Sequence, residues 1–307
     1  FLSVLPTLIL GTTCALVEKF SLSAFWNDIR QYRATVFNFL GSMITLLWNQ
    51  PGRDDDAQVP ARLALGVSVP GDLERAFEKR FGLKLIQCFG ATETGIVSAT
   101  PLDEESPIGS CGKQLTEVGE VRIVDEDDNE VPPGVRGEFV FRPRQPFTMM
   151  SGYYGRPEAT VEATRNLWYH YGDYGRSDEK GFLYFIDRKK DCMRRRGENV
   201  SAMEVEVVAS RYPGVLESVA SGVWSDMGEE DIKISIRLKE GATVDPADLL
   251  RFCEEGLPWF AVPRYVEFRE DFPRTPTGKV AKHELKKEWV HPKLWDREAA
   301  GYRVKKR

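Results

Sequence analysis

The 307 residues are 42% hydrophobic, 29% charged and 11% aromatic, which excludes disordered, collagen-like and disulfide-scaffold classes. A balance of 42 basic against 47 acidic side chains gives a formal charge of −5 and argues against nucleic acid as a partner. Five cysteines without a Cys-x-x-Cys spacing, and only three histidines, argue against a zinc centre and for a reducing compartment, the cytoplasm.

In chain order, Phe1 opens an apolar stretch that runs to Val17. It lacks the basic leading region of a signal peptide. Pro6, Gly11, Thr12 and Thr13 break it short of the roughly 20 apolar residues a membrane span needs, so no transmembrane segment is expected. The stretch predicts a buried strand and helix, and the chain reads as the C-terminal portion of a larger protein. Leu22, Phe25, Trp26 and Ile29 recur at helical spacing, with Ser21 or Ser23 as the cap. An apolar run at 35–40, a helical stretch with Met43, Leu46 and Leu47, and a strand from Arg62 to Leu65 ending at Gly66 follow. Leu73, Ala76, Phe77 and Phe81 predict the next helix, and Leu83 to Phe89 the next strand. This alternation predicts an α/β layer with a largely parallel sheet over 1–104.

From 105 to 187 short alternating segments, Val118–Val124, Glu138–Phe141 and Phe182–Ile186, stand between turn clusters and predict a small antiparallel, barrel-like β unit. A basic run from Arg188 to Arg196 opens the last part, 188–307, and reads as a solvated face. Ser201-x-x-Glu204 is a capping-box signature, and Asp245-Pro246 opens a helix through Cys253. Val215–Val223, Ile232–Leu238 and Tyr265–Phe268 predict strands of a compact α+β domain.

Three segments following predicted strands are rich in small and polar residues, and each is read as a loop. Ligands of open α/β sheets sit at the carboxyl ends of strands. Phe89-Gly90-Ala91-Thr92-Glu93-Thr94-Gly95 combines a ring that can stack on a base, a hydroxyl for a phosphate and a carboxylate for Mg²⁺; the same composition also makes an ordinary turn. Trp168 to Asp173, followed by Asp187-Arg188, sets a carboxylate for ribose hydroxyls beside a guanidinium. Pro273-Arg274-Thr275-Pro276-Thr277-Gly278-Lys279 presents a lysine on a stiffened loop.

In this order the motifs resemble those of the adenylate-forming acyl-CoA synthetases. The resemblance rests on Phe89-Gly90-Ala91-Thr92-Glu93, Gly137-Glu138, Gly152-Tyr153-Tyr154 with Pro157-Glu158-x-Thr160, Tyr171-Gly172-Asp173, Asp187 to Asp191, Gly197-Glu198-Asn199 and Pro276-Thr277-Gly278-Lys279. The Arg194-Arg195-Arg196-Gly197-Glu198-Asn199 wording and Leu257 to Arg264 are most like the crotonobetaine/carnitine-CoA ligase branch. The resemblance implies a large N-terminal α/β domain, here truncated at its start, and a mobile C-terminal domain hinged at 187–191.

It also implies roles. Phe89 stacks on adenine; Gly66 and Gly90 line the pocket; Thr92 bonds the AMP phosphate; Glu93 holds Mg²⁺. Asp173 and Arg188 grip the ribose, and Lys279 bridges the substrate carboxylate and the α-phosphate. Lys190 is the hinge, with Gly197 and Glu198 beside the CoA channel. The implied reaction joins a small carboxylic acid to CoA with ATP, giving AMP and pyrophosphate. A carrier-protein or other acceptor, and a non-catalytic nucleotide-binding remnant, stay open, as does a homo-oligomer. Two departures stand out. Tyr171 replaces the usual Thr before Gly-Asp, and Gly11-Thr12-Thr13 lacks the glycines and lysine of a phosphate loop, which is therefore expected upstream of Phe1.

Overall fold

A computed structural model describes residues 3–196, 198–225, 230–275, 280–287 and 294–305, with Asp72 described by its backbone alone. The chain divides into two compact units: Phe1–Tyr171 with Gly175–Phe185, and Gly172–Tyr174 with Ile186–Arg307. No helix among the described residues is long and apolar enough to cross a membrane.

In the first unit α1 (Val4–Leu10) and α2 (Phe25–Gln31) precede β1 (Val36–Leu40), α3 (Gly41–Trp48), β2 (Leu63–Val67), α4 (Gly71–Phe81), β3 (Lys84–Ala91), β4 (Gly95–Ala99) and β5 (Lys113–Gln114). These five strands form one sheet in sequence order. The β1–β2–β3 pairings are parallel, as the apolar strand runs predict, while β4 and β5 add antiparallel neighbours. Helices α2, α3 and α4 cover the parallel part through Trp26, Ile44, Leu47, Phe77 and Phe81. Trp26 stacks on Phe81 with ring centroids 4.3 Å apart, an arrangement worth up to ~1.5 kcal/mol beyond area burial.

Two expectations for this region are corrected. The apolar opening forms α1, with no buried residue, and Leu8, Ile9, Leu10 and Leu16 are exposed; apolar composition sets the helix but supplies no covering layer. Neither Ser21 nor Ser23 caps α2 with its side chain. The chain enters α2 through a turn in which the Ser21 carbonyl accepts from Phe25 N at 2.9 Å, and the two serine hydroxyls face each other.

A second sheet, in order β6–β7–β8–β9, contains β6 (Gly119–Val124), β7 (Gly137–Pro143), β8 (Tyr169–Ser177) and β9 (Leu183–Arg188). The segment Trp168 to Asp173, read as a loop, leads into strand β8, which begins at Tyr169. Its glycines and Asp173 mimic turn chemistry, but Trp168, Tyr169 and His170 are buried. A short helix, α5 (Pro157–Ala163), precedes this strand.

The second unit opens with the hairpin β10 (Met193–Arg195) and β11 (Glu198–Val200), then α6 (Ala202–Ser210), β12 (Val215–Trp224), β13 (Glu230–Leu238), α7 (Pro246–Gly256), β14 (Tyr265–Arg269), α8 (Lys282–Lys287) and β15 (Leu294–Asp296). Strands β12 to β15 form a sheet in sequence order, antiparallel, parallel, antiparallel. Ile232, Ile234 and Ile236 of β13 pack with Val205, Leu249 and Cys253 of the two longer helices in one core. The predicted cap at Ser201 forms, and Asp245 caps the helix that the Asp-Pro pair opens. Ser201 Oγ accepts from Glu204 N at 3.1 Å, and Asp245 Oδ1 accepts from Ala247 N at 2.8 Å, each worth about 1 kcal/mol.

Candidate active site

Strand β3 runs buried from Leu85 to Phe89 and turns at 92–94 into β4, so Thr92 and Glu93 stand on a tight connection. Gly90 is held by packing. A Cβ there would lie 2.1 Å from the Gly95 carbonyl, at the bulge between Phe89 and Gly90. Thr94 is buried and its Oγ1 hydrogen-bonds the Tyr171 hydroxyl at 2.8 Å. Glu93 is fixed at both ends. Its carbonyl accepts from Met150 N at 2.7 Å, and its Oε1 accepts from the Tyr153 hydroxyl at 2.9 Å. Tyr153 in turn lies 3.4 Å from the Tyr169 hydroxyl. Burial pushes both phenols up, so at neutral pH the Tyr153 hydroxyl keeps its proton and donates it to Glu93 Oε1. Thr92 is exposed at the turn.

Sequence reasoning had not assigned roles to Tyr153, Tyr169 and Thr94. Tyr153 was legible only as part of a motif block, and a hydroxyl's partner across 60 residues has no local signal. Tyr171, the bulky departure, has a place of its own, bonded to Thr94 and packed against Phe89.

The Phe89 ring is 7% exposed and stacks on Phe139 at 4.4 Å, with Tyr171 at 4.8 Å. Its position falls on the buried run of β3, so the ring is packed on the Phe139 side. Gly66 lies within β2. A Cβ there would come 2.2 Å from the Phe39 carbonyl, and its own carbonyl accepts the Cys88 thiol at 3.3 Å. Gly66→Ala is therefore expected to destabilise the first unit by about 1–3 kcal/mol, read as a lower thermal midpoint whether or not nucleotide is present.

A cleft of about 420 Å³ in this unit, lined by Glu74, Arg75, Glu78 and Lys84 among others, contains none of these motif residues.

In the second unit the predicted ribose pair comes together: Arg188 Nε lies 3.8 Å from Asp173 Oδ1. Lys189 N donates to the Gly172 carbonyl at 2.8 Å, and the Arg188 carbonyl accepts from Asp191 N and Cys192 N, both at 3.0 Å. Asp187 is buried and accepts from Ser201 Oγ at 2.9 Å and Met203 N at 3.2 Å, so the turn is tied to the start of α6. Burial pushes the Asp173 carboxyl up to about 6, against the pull of Arg188. Its folded value lies above the unfolded value of about 3.9. Its contribution to stability is therefore present below the unfolded pKa and lost as pH rises through about 6.

Lys190 is exposed, and its carbonyl accepts from Lys286 Nζ at 3.1 Å. Glu198 is exposed on β11. The basic run is not uniformly solvated, since Arg195 is 1% exposed. Gly197 and the segment 276–279 with Lys279 lie outside the described residues.

Residues 1–154 match the AMP-binding enzyme family, and residues 204–279 match the AMP-binding enzyme C-terminal domain. The chain belongs to the AMP-binding enzyme family. Crotonobetaine/carnitine–CoA ligases of Salmonella arizonae and Citrobacter koseri are each 38% identical to it, over 282 and 284 residues, covering 90% of this chain and 54% of theirs. The chain thus spans about half the length of those curated relatives. Among solved AMP-binding enzyme structures, ATP-bound MatB from Rhodopseudomonas palustris aligns with TM-score 0.82 at 28% identity, over 92% of this chain and 56% of that one. The o-succinylbenzoate CoA synthetase MenE of Bacillus subtilis, in complex with the acyl-adenylate OSB-AMP, aligns with TM-score 0.79 at 26% identity, over 92% and 57%.

Proposed function

We propose that the protein is an ATP-dependent acid–CoA ligase acting on a small carboxylic acid in the cytoplasm. The observation that supports it is the match of both parts of the chain to the AMP-binding enzyme family, with acid–CoA ligases at 38% identity. In the first half-reaction a carboxylate oxygen attacks the α-phosphorus of ATP and the bond to pyrophosphate breaks. In the second the CoA sulfur attacks the acyl carbon, the C–O bond to AMP breaks, and the thiol proton is released.

In this reading Phe89 stacks on adenine, Thr92 bonds the AMP phosphate, and Gly66 and Gly90 line the nucleotide pocket. Asp173 and Arg188 grip the ribose, Lys279 bridges the two reacting anions, and Lys190 is the hinge between half-reactions. Gly197 and Glu198 border the CoA channel. Mg²⁺ fits the donor set: Glu93 is a hard oxygen ligand whose Oε1 is oriented by Tyr153, and a single carboxylate plus substrate phosphates is a usual Mg²⁺ environment. Glu93 would hold the ion, which supplies charge neutralisation at the phosphates. In this reading residues 1–104 are the α/β part of the N-terminal domain, 105–187 a small β unit and 188–307 the C-terminal domain.

The test is pyrophosphate release and thioester formation by the chain with ATP, Mg²⁺, CoA and a panel of carboxylic acids that includes betaine-type acids. Acid-dependent release with an acyl-CoA product supports the proposal. Release with product only on a carrier thiol moves the acceptor, and nucleotide binding without release makes the chain non-catalytic.

A ribose-gripping carboxylate must be ionised to accept both hydroxyls. AMP affinity is therefore expected to rise with pH through about 6. Asp173→Asn should bind more weakly and lose that pH dependence, as titration calorimetry at several pH values will show.

A further inference from the structure

The hairpin of β10 and β11 contains a buried charge. Alternation along β10 sends Met193 and Arg195 inward and Arg194 outward. Met193 pairs in register with Val200, and both sit in the apolar core. Arg195, at the next inward position, donates from Nη1 to the carbonyls of Phe260 at 3.2 Å and Val262 at 2.7 Å, and its Nε lies 3.1 Å from Asp231 Oδ1. Asp231 is shared with Arg264 Nη1 at 2.8 Å, and the Val262 carbonyl with Arg297 Nη1 at 3.0 Å. One guanidinium thus ties together three segments: the hairpin, the start of β13 and the turn after α7. Burial lowers this guanidinium to about 10, which leaves it charged at neutral pH.

Stability alone does not call for an arginine here. A well-packed apolar side chain of similar volume is often as stabilising as a buried ion pair, without its desolvation cost. What the planar fork adds is direction, since its donors are fixed relative to one another. Arg195 stands opposite Glu198 in the strand register, the last pair before the chain connects the two strands. Beside it, Arg196 lies over the Trp259 ring at 5.0 Å, on the same turn that Arg195 grips.

We propose that Arg195 is a positioning residue for thioester formation: it clamps the end of the hairpin and so sets where Glu198 stands when the CoA thiol attacks, with no part in adenylation. This rests on the acid–CoA ligase reading.

The test compares wild type with Arg195→Met and Arg195→Lys by hydrogen exchange and by separate assay of the two half-reactions. Arg195→Met is expected to raise amide exchange in β10 and β11 by about tenfold or more, with the β12–β13 ladder unchanged. Pyrophosphate release without CoA should stay within about twofold of wild type. Transfer from preformed acyl-adenylate to CoA should fall by about 10- to 100-fold, since small misplacements of a reacting geometry cost that much. Arg195→Lys, which keeps charge but not the fork, should fall between, and it serves the same comparison should the Met variant not fold. Equal loss of both half-reactions, undiminished transfer to CoA, or unchanged exchange in the hairpin overturns the proposal. A wild type that forms no adenylate sinks the ligase reading instead, while the exchange experiment still decides whether Arg195 clamps the hairpin.

Discussion

Lys279→Ala is expected to lower acid-dependent pyrophosphate release by about 10²–10³-fold while AMP affinity stays within about threefold of wild type. Adenylation brings a carboxylate to a polyphosphate, and both carry negative charge as the bond forms. A cation held between them stabilises the transition state more than either ground state, so its loss falls on the chemical step. An ordinary lysine, with pKa about 10.4, is already charged at neutral pH and needs no special environment. The described residues on either side of 276–279 are held by the second unit. Arg274 and Val280 form an antiparallel bridge, Arg274 Nη2 pairs with Glu217 at 2.8 Å, and Lys282 Nζ pairs with Glu206 at 2.7 Å. Single-turnover kinetics separates the effect from that of Asp173→Asn, which should weaken nucleotide binding. A Lys279→Ala protein that adenylates at the wild-type rate would remove this lysine from the mechanism.

Periodicity made much of the framework legible. The parallel strands β1 to β3, helices α3 and α4, the β12–β13 pair and the caps at Ser201 and Asp245 all follow from local signals: apolar spacing, a capping box, an Asp-Pro start. The misses share one cause, that local composition says nothing of what lies opposite. Strand β8 looks like a loop because Gly172, Asp173 and Gly175 suit turns, yet its neighbours in the sheet supply the ladder that makes it a strand. Arg195 looks solvated in a run of arginines until Asp231 and two carbonyls more than 60 residues away, at 260 and 262, are brought to it. The chemistry of the candidate site was legible as residue types. The hydroxyl that orients Glu93 was not, because the Tyr153–Glu93 pair is made by tertiary structure alone.

Glu267→Gln is expected to destabilise the second unit by about 3–5 kcal/mol, because it removes the negative partner of a fully buried lysine. Lys233 and Glu267 are both 0% exposed, and Lys233 Nζ lies 3.4 Å from Glu267 Oε2. Ser235 Oγ donates to the same oxygen at 2.6 Å, Arg269 Nη2 pairs with Oε1 at 2.8 Å, and Lys233 Nζ donates to the Leu285 carbonyl of α8 at 3.2 Å. Alternation explains the placement. β13 turns its isoleucines toward α6 and α7 and its Lys233 and Ser235 to the opposite face, where Lys233 reaches the Leu285 carbonyl of α8 and Ser235 reaches Glu267. Burial pushes the Glu267 carboxyl up, but the bonds from Arg269 and Ser235 and the Lys233 charge outweigh it and hold the group below the ordinary carboxylate range. Its contribution to stability is therefore present above the unfolded pKa of about 4.3 and lost as pH falls through the lower folded value. Urea unfolding at neutral pH should show the loss for Glu267→Gln, and the acid limb of the stability profile should be shallower than in wild type. The double variant Glu267→Leu with Lys233→Met, which removes both charges, should recover much of the loss. If it is no more stable than Glu267→Gln, the penalty lies in packing around β13 and not in the unpaired charge.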